Sequence, residues 1–134
     1  MSDTETAAAP AVTPFLALGG APGVRGIVDR FYDLMDQEPA FGALRRLHEP
    51  DLSPMRDSLT GFLTAWLGGP RDWFATRPGA CVMSLHANIE VSPETARQWI
   101  QAMSRALADQ GVDPALRSRI NEAFAHMAAG MAGR

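Results

Sequence analysis

Four segments of the chain carry apolar residues at helical spacing, and this pattern constrains the fold more than any other feature. The clearest one predicts a helix from about Val24 to Met35, with apolar side chains at i, i+3, i+4, i+7 and i+11. Two more helices are predicted from about Pro54 to Leu67 and from about Pro93 to Gln110, and a fourth begins at Asp113. The apolar run from Cys81 to Leu85 is too short and isolated to build a sheet. The sequence therefore predicts an all-α fold.

Start and stop signals bracket these helices. Ser53, Ser92 and Asp113 are predicted N-caps, and a proline follows each of them at the first helical position. The run Gly68-Gly69-Pro70 should end the second helix and Gly111 the third, because glycine readily adopts the left-handed conformation that ends a helix.

Length and charge limit the class of protein. The 134 residues suit one domain, and the 46% of apolar residues can supply its core. A net charge of -3 argues against nucleic acid as a partner, and no apolar run is long enough to predict a membrane span. The first twelve residues lack the features of a secretory signal and are predicted to be a disordered tail before a single domain of residues 13–134. The lone Cys81 cannot form an internal disulfide, so a cytoplasmic location is expected.

Most catalytic and metal-binding motifs are missing from the sequence. The three histidines show no metal-site spacing, no Gly-x-Ser-x-Gly turn occurs, and Gly19-Gly20 lacks the Lys-Ser/Thr of a phosphate loop. One histidine, His86, lies in the poorly periodic segment between Arg71 and Val91, and a long irregular connection of that kind is often functional.

Haem is the cofactor that needs only one protein histidine, because the porphyrin supplies four nitrogens to the iron. It also needs a flat apolar slot with a few polar groups on the side opposite the histidine. Taken singly, each candidate lining residue is more simply interpreted as core, and the combination with His86 is what favours a haem site. The candidates are Phe31, Tyr32, Leu59, Phe62, Trp99 and Met103.

Several motifs occur together at fixed spacing. They include Thr13-Pro14-Phe15 leading to Gly19-Gly20, the run from Val28 to Tyr32, the run from Leu47 to Leu52 and the run from Trp66 to Pro70. His86 follows Pro70 by 16 residues and Trp99 follows His86 by 13. From about Thr13 to Gly130 the chain thereby resembles the group II truncated haemoglobins.

The resemblance implies a two-on-two α-helical sandwich around non-covalently bound haem b, with His86 as the proximal iron ligand. It implies that three polar side chains reach the bound gas, namely Tyr32, His48 and Trp99. It also implies that Met55, Leu59 and Phe62 line the distal pocket and that Phe31 and Met103 contact the haem. No Cys-x-x-Cys-His motif is present for covalent attachment.

The proximal side departs from the family pattern. Leu85 occupies the position where the family commonly has an arginine that pairs with a haem propionate, and Asn88 and Ile89 replace a common Pro-Phe pair. Arg77 is the candidate substitute for the propionate anchor. Met55 is bulkier than the small residue usual at its position.

Two functional hypotheses follow. The first is a globin that reversibly binds O₂ or another diatomic gas. Its role could be storage, NO dioxygenation, peroxidase-like turnover or gas sensing, and the sequence does not separate these. An unidentified reductase is a candidate partner. The alternative is a haem-free helical sensor or interaction domain, supported by the changes at Leu85, Asn88 and Ile89. A visible absorption spectrum distinguishes them.

Overall fold

The computed structural model describes residues 13–75 and 92–132, and within these ranges it consists of helices and connecting turns, without strands. This confirms the all-α prediction. The elements are α1 (Pro14–Ala17), α2 (Gly20–Gln37), a 3₁₀ turn (Pro39–Phe41), α3 (Gly42–Arg45), α4 (Ser53–Trp66), α5 (Asp72–Ala75), α6 (Pro93–Asp109) and α7 (Pro114–Ala132). None of the helices in these two ranges is long and apolar enough to cross a membrane.

The four long helices pack as two pairs. Helix α2 contacts α4 along one side and α6 along another, and α6 also packs extensively on α7. The pairs α2/α4 and α6/α7 therefore form the two layers of a two-on-two sandwich. Phe31 on α2 and Met103 on α6 are both 0% exposed, so the core lies where these layers meet.

Helix α2 confirms the clearest periodic pattern. Its predicted apolar stripe is buried along its whole length, from Val24 to Met35. Because fully burying each such side chain stabilises a fold by about 1.5–3 kcal/mol, this stripe is what fixes α2 against its neighbours. The helix begins at Gly20, four residues before the first residue of the stripe.

The start of α4 corrects one prediction. Ser53 is the first helical residue, and Leu52 occupies the N-cap position without a side-chain cap. The Asp51 carboxylate accepts a hydrogen bond from the Ser53 N–H at 3.0 Å. The predicted cap at Ser53 was therefore wrong, because the Arg56 N–H that it would satisfy donates instead to the Leu52 carbonyl at 2.9 Å.

The end of α4 agrees with the prediction. Gly68 has a φ of 100°, and the Gly69 N–H donates to the Thr64 carbonyl at 2.8 Å. This left-handed glycine and back-directed bond satisfy the free carbonyls at a helix end.

The ends of α6 and the start of α7 are also as predicted. The Ser92 side chain accepts from the Thr95 N–H in a capping box, and Gly111 follows the helix with a φ of 77°. The Asp113 carboxylate accepts from the Ala115 N–H at 3.1 Å and so caps α7. These caps fix the length of α6, which carries Trp99 and Met103.

Candidate functional site

Phe31 brings two predicted distal residues together. Its ring centroid lies 4.9 Å from that of Tyr32 and 5.2 Å from that of Trp99, both in edge-on geometry. Tyr32 follows Phe31 on α2, whereas Trp99 comes from α6 in the other layer. The structure therefore unites, at one place, side chains that are far apart in sequence.

The contacts continue into an aromatic cluster, defined here as Phe31, Tyr32, Trp66, Trp99 and Phe124. Trp99 meets Phe124 of α7 edge-on at 5.0 Å, and Phe124 stacks on Trp66 of α4 at 4.9 Å with 15° between the rings. Pairs of this geometry each contribute about 0.5–1.5 kcal/mol beyond area burial. The cluster joins all four long helices and fixes the orientation of its members.

Two polar groups in this cluster are not used by the fold. Tyr32 is only 4% exposed, yet its hydroxyl forms no hydrogen bond with the residues that the structure describes. The Trp99 indole N–H likewise donates to none of these residues. Burial raises the pKa of the Tyr32 phenol far above its usual value of 10, so the hydroxyl keeps its proton at neutral pH. Within residues 13–75 and 92–132, both groups are therefore hydrogen-bond donors without an acceptor.

His48 contacts Tyr32 edge-on. The two ring centroids are 5.9 Å apart, and the His48 Nδ1 is 2.9 Å from the Leu44 carbonyl oxygen. Because a carbonyl only accepts, Nδ1 carries the proton and the neutral ring presents Nε2 as an acceptor. A donor role for His48 Nε2 thus requires the imidazolium form.

Gln98 of α6 connects this helix to α3, which precedes His48. The sequence analysis missed this residue. Its Oε1 accepts from the Leu44 N–H at 3.0 Å, and its side chain is buried, with the residue 6% exposed. The same Leu44 supplies the carbonyl that contacts His48 Nδ1, so Gln98 helps to fix the backbone that orients His48. The signal that could have revealed it is a glutamine on the buried face of a strongly amphipathic helix.

Arg56 is a second residue that the sequence analysis missed. Its guanidinium bonds the carboxylates of Asp29 at 3.0 Å and Asp33 at 2.9 Å, and its Cζ lies 5.7 Å from the Tyr32 ring centroid. Arg25 extends this charged frame by pairing with Asp29. No pattern in the sequence indicates which α2 carboxylates an arginine of α4 meets.

The predicted apolar lining occupies α4. Met55, Leu59 and Phe62 pack against the core but remain only partly buried, whereas Leu63 on the same helix is 2% exposed. Met103 lies deeper, beside a small apolar cavity that Phe124 also lines. Whether these residues and Phe31 contact a cofactor stays a prediction. His86, Leu85 and Arg77 lie outside the described residues.

The two helical layers and the aromatic cluster between them define an all-α globin of the two-on-two type. A family profile described as bacterial-like globin matches residues 13–132, and the chain belongs to this family.

Solved structures agree with this assignment. The chain is 29% identical to a cold-adapted truncated haemoglobin from Pseudoalteromonas haloplanktis, with a TM-score of 0.86 over 91% of this chain and 98% of that one. It is 28% identical to a group II two-on-two haemoglobin from Agrobacterium tumefaciens, with a TM-score of 0.87 over 92% and 96%. A group II truncated haemoglobin from Bacillus anthracis gives 28% identity and a TM-score of 0.83 over 92% of each chain. The predicted resemblance to group II truncated haemoglobins is confirmed.

Proposed function

We propose that the protein binds haem b non-covalently and reversibly binds O₂ or another diatomic gas at the iron, beside Tyr32 and Trp99. The observation that carries this proposal is the pair of unused donors at one place in the aromatic cluster. Both side chains contact Phe31, and neither donor has an acceptor among the described residues, which favours a bound ligand as the acceptor.

The apolar row on α4 supports haem as the cofactor. Met55, Leu59 and Phe62 are partly buried on a helix whose Leu63 is almost completely buried. A flat apolar ring laid against this row would remove more of its surface from water, at about 25 cal/mol per Å². The solved structures that this chain resembles are described as haemoglobins, which adds support from outside the chain.

The distal donors explain what the protein would contribute to gas binding. Bound haem would supply the iron at which the gas is held. A gas ligand that carries partial negative charge is stabilised by donors that are already oriented before it arrives. Tyr32 and Trp99 meet this condition because their rings are held by Phe31. Such donors slow ligand release, which favours ligand or redox chemistry over bulk transport.

We assign the proximal ligand to His86 on the basis of its spacing from Pro70 and Trp99. His86→Ala should abolish stable haem uptake, or restore it only with added imidazole, because the iron loses its protein ligand. The measurement is the visible absorption spectrum of purified protein, with His126→Ala as the control because His126 is exposed on α7.

Two outcomes would contradict this assignment. A normal spectrum in His86→Ala, together with haem loss in His48→Ala, would place the ligand elsewhere. A flat spectrum of the wild-type protein after reconstitution with haem would instead support a haem-free helical sensor or interaction domain.

A further inference from the structure

The guanidinium of Arg56 is fixed relative to α2 by two carboxylates. Its Nη1 donates to the Asp29 carboxylate at 3.0 Å and to the Asp29 carbonyl at 3.1 Å, and its Nη2 donates to Asp33 at 2.9 Å. Asp29 and Asp33 are one helical turn apart on α2. Anchoring at both points leaves the guanidinium little freedom to move along the helix.

Tyr32 lies directly beneath this anchored group. The Arg56 Cζ is 5.7 Å from the ring centroid, within the range of a cation–π contact. The Arg56 side chain is 21% exposed, so water only partly screens the contact. Among the residues that the structure describes, the charged and titratable groups near Tyr32 are Arg56 on α4, its partners Asp29 and Asp33 on α2, and His48, which follows α3.

We propose that Arg56 is a positioning residue for Tyr32, holding the phenol ring through the cation–π contact and strengthening its hydroxyl as a donor. This inference rests on the proposed function, because the acceptor of that hydrogen bond is the proposed gas ligand. Its physical basis lies entirely in contacts among residues of this chain, and can be measured without haem.

The two consequences of the contact are mechanical and electrostatic. The anchored cation restricts tilting of the ring, so that the hydroxyl points in one direction. Its positive charge also stabilises the phenolate relative to the phenol and so lowers the pKa of Tyr32, opposing the increase that burial causes. A phenol that gives up its proton more readily donates a stronger hydrogen bond.

The composition of the chain makes this effect measurable. Tyr32 is its single tyrosine, so 3-fluorotyrosine incorporation places one ¹⁹F probe at this position. The fluorinated phenol is more acidic than tyrosine, which lowers the pH at which its titration is followed. The experiment follows the ¹⁹F shift against pH in the full chain as purified, with folding checked by circular dichroism.

Arg56→Met should raise the phenol pKa, and Arg56→Lys should restore most of the wild-type value because it keeps the charge. Arg25→Met is the matched control, because Arg25 belongs to the same ion-pair frame through Asp29 but does not contact the Tyr32 ring. If Arg56→Met fails to fold, Arg56→Gln provides the same neutral change while retaining a donor for a carboxylate.

In haem-loaded protein, Arg56→Met should also release O₂ about two- to fivefold faster, the effect expected for losing one partly exposed cation–π contact. An unchanged phenol pKa in both neutral variants, or an equal change in Arg25→Met, would overturn the proposal. Failure of haem uptake by the wild-type chain would refute the proposed function, whereas the titration would still decide the role of Arg56.

Discussion

Trp99→Phe should speed the release of O₂, because it removes a hydrogen-bond donor while keeping an aromatic ring. In the structure Trp99 makes edge-on contacts with Phe31 at 5.2 Å and Phe124 at 5.0 Å. Phenylalanine can keep contacts of this kind, so the main loss is the indole N–H, which no described residue accepts. The substitution therefore separates hydrogen bonding from packing.

The size of the effect follows from the kind of bond that is lost. A hydrogen bond to a group with developing negative charge is worth about 1.5–3 kcal/mol. If the bond is lost on the way to release, the off-rate rises by a factor of about ten to 150. The free energy of unfolding should change much less, because no residue in the described ranges accepts a hydrogen bond from this N–H.

The assay is stopped-flow displacement of O₂ by excess CO, with Trp66→Phe as the matched control. Trp66 belongs to the same aromatic cluster, but its ring stacks on Phe124 rather than on Phe31 or Tyr32. An unchanged off-rate in Trp99→Phe would refute a direct role for the indole. An equal increase in both variants would show that the aromatic cluster, and not the N–H, controls release.

Two further predictions concern the fold and the proximal side. Gln98→Leu should lower the free energy of unfolding by about 1–3 kcal/mol, because it leaves the Leu44 N–H without its acceptor. Thermal melting measures this, with Gln101→Leu at an exposed position of the same helix as the control. Equal melting temperatures of the two variants would contradict the prediction. Leu85→Arg should slow haem transfer to an apo-globin acceptor by up to about fivefold, because an exposed ion pair with a propionate is worth about 0–1 kcal/mol. Equal rates in the variant and the wild type would mean that another residue already holds the propionate, and Arg77 is the first candidate.

The long helices could be predicted from the sequence because apolar periodicity and helix-end signals act locally. The stripe from Val24 to Met35 and the glycine stops at Gly68 and Gly111 illustrate this. The cap at Ser53 was mispredicted because the helix begins one residue earlier than the Ser-Pro pair indicates, with the Arg56 N–H bonded to the Leu52 carbonyl. Short helices such as α1 and α3 span about one turn, which is too short for a periodic signal.

The site was predictable only in part, for a different physical reason. Periodicity indicated that Phe31 would be buried and Tyr32 partly so, and the family resemblance added Trp99 and His48. Which residues meet across two helices depends on the rotation and spacing of those helices, and no local pattern records either. The link from Gln98 to Leu44 and the position of Arg56 over Tyr32 therefore became visible only in the structure.

The polar groups of this region differ in whether the fold itself uses them. Gln98 is buried and its side-chain oxygen is bonded to the backbone of α3, so its contribution is to stability. Tyr32 and Trp99 are held by contacts to their rings, and no residue in the described part of the chain accepts a hydrogen bond from either donor. Substitutions should consequently fall into two groups: Gln98→Leu should lower the melting temperature more than it changes gas release, and Trp99→Phe should do the reverse. This separation allows the stability of the sandwich and the strength of ligand binding to vary independently in a chain of this size.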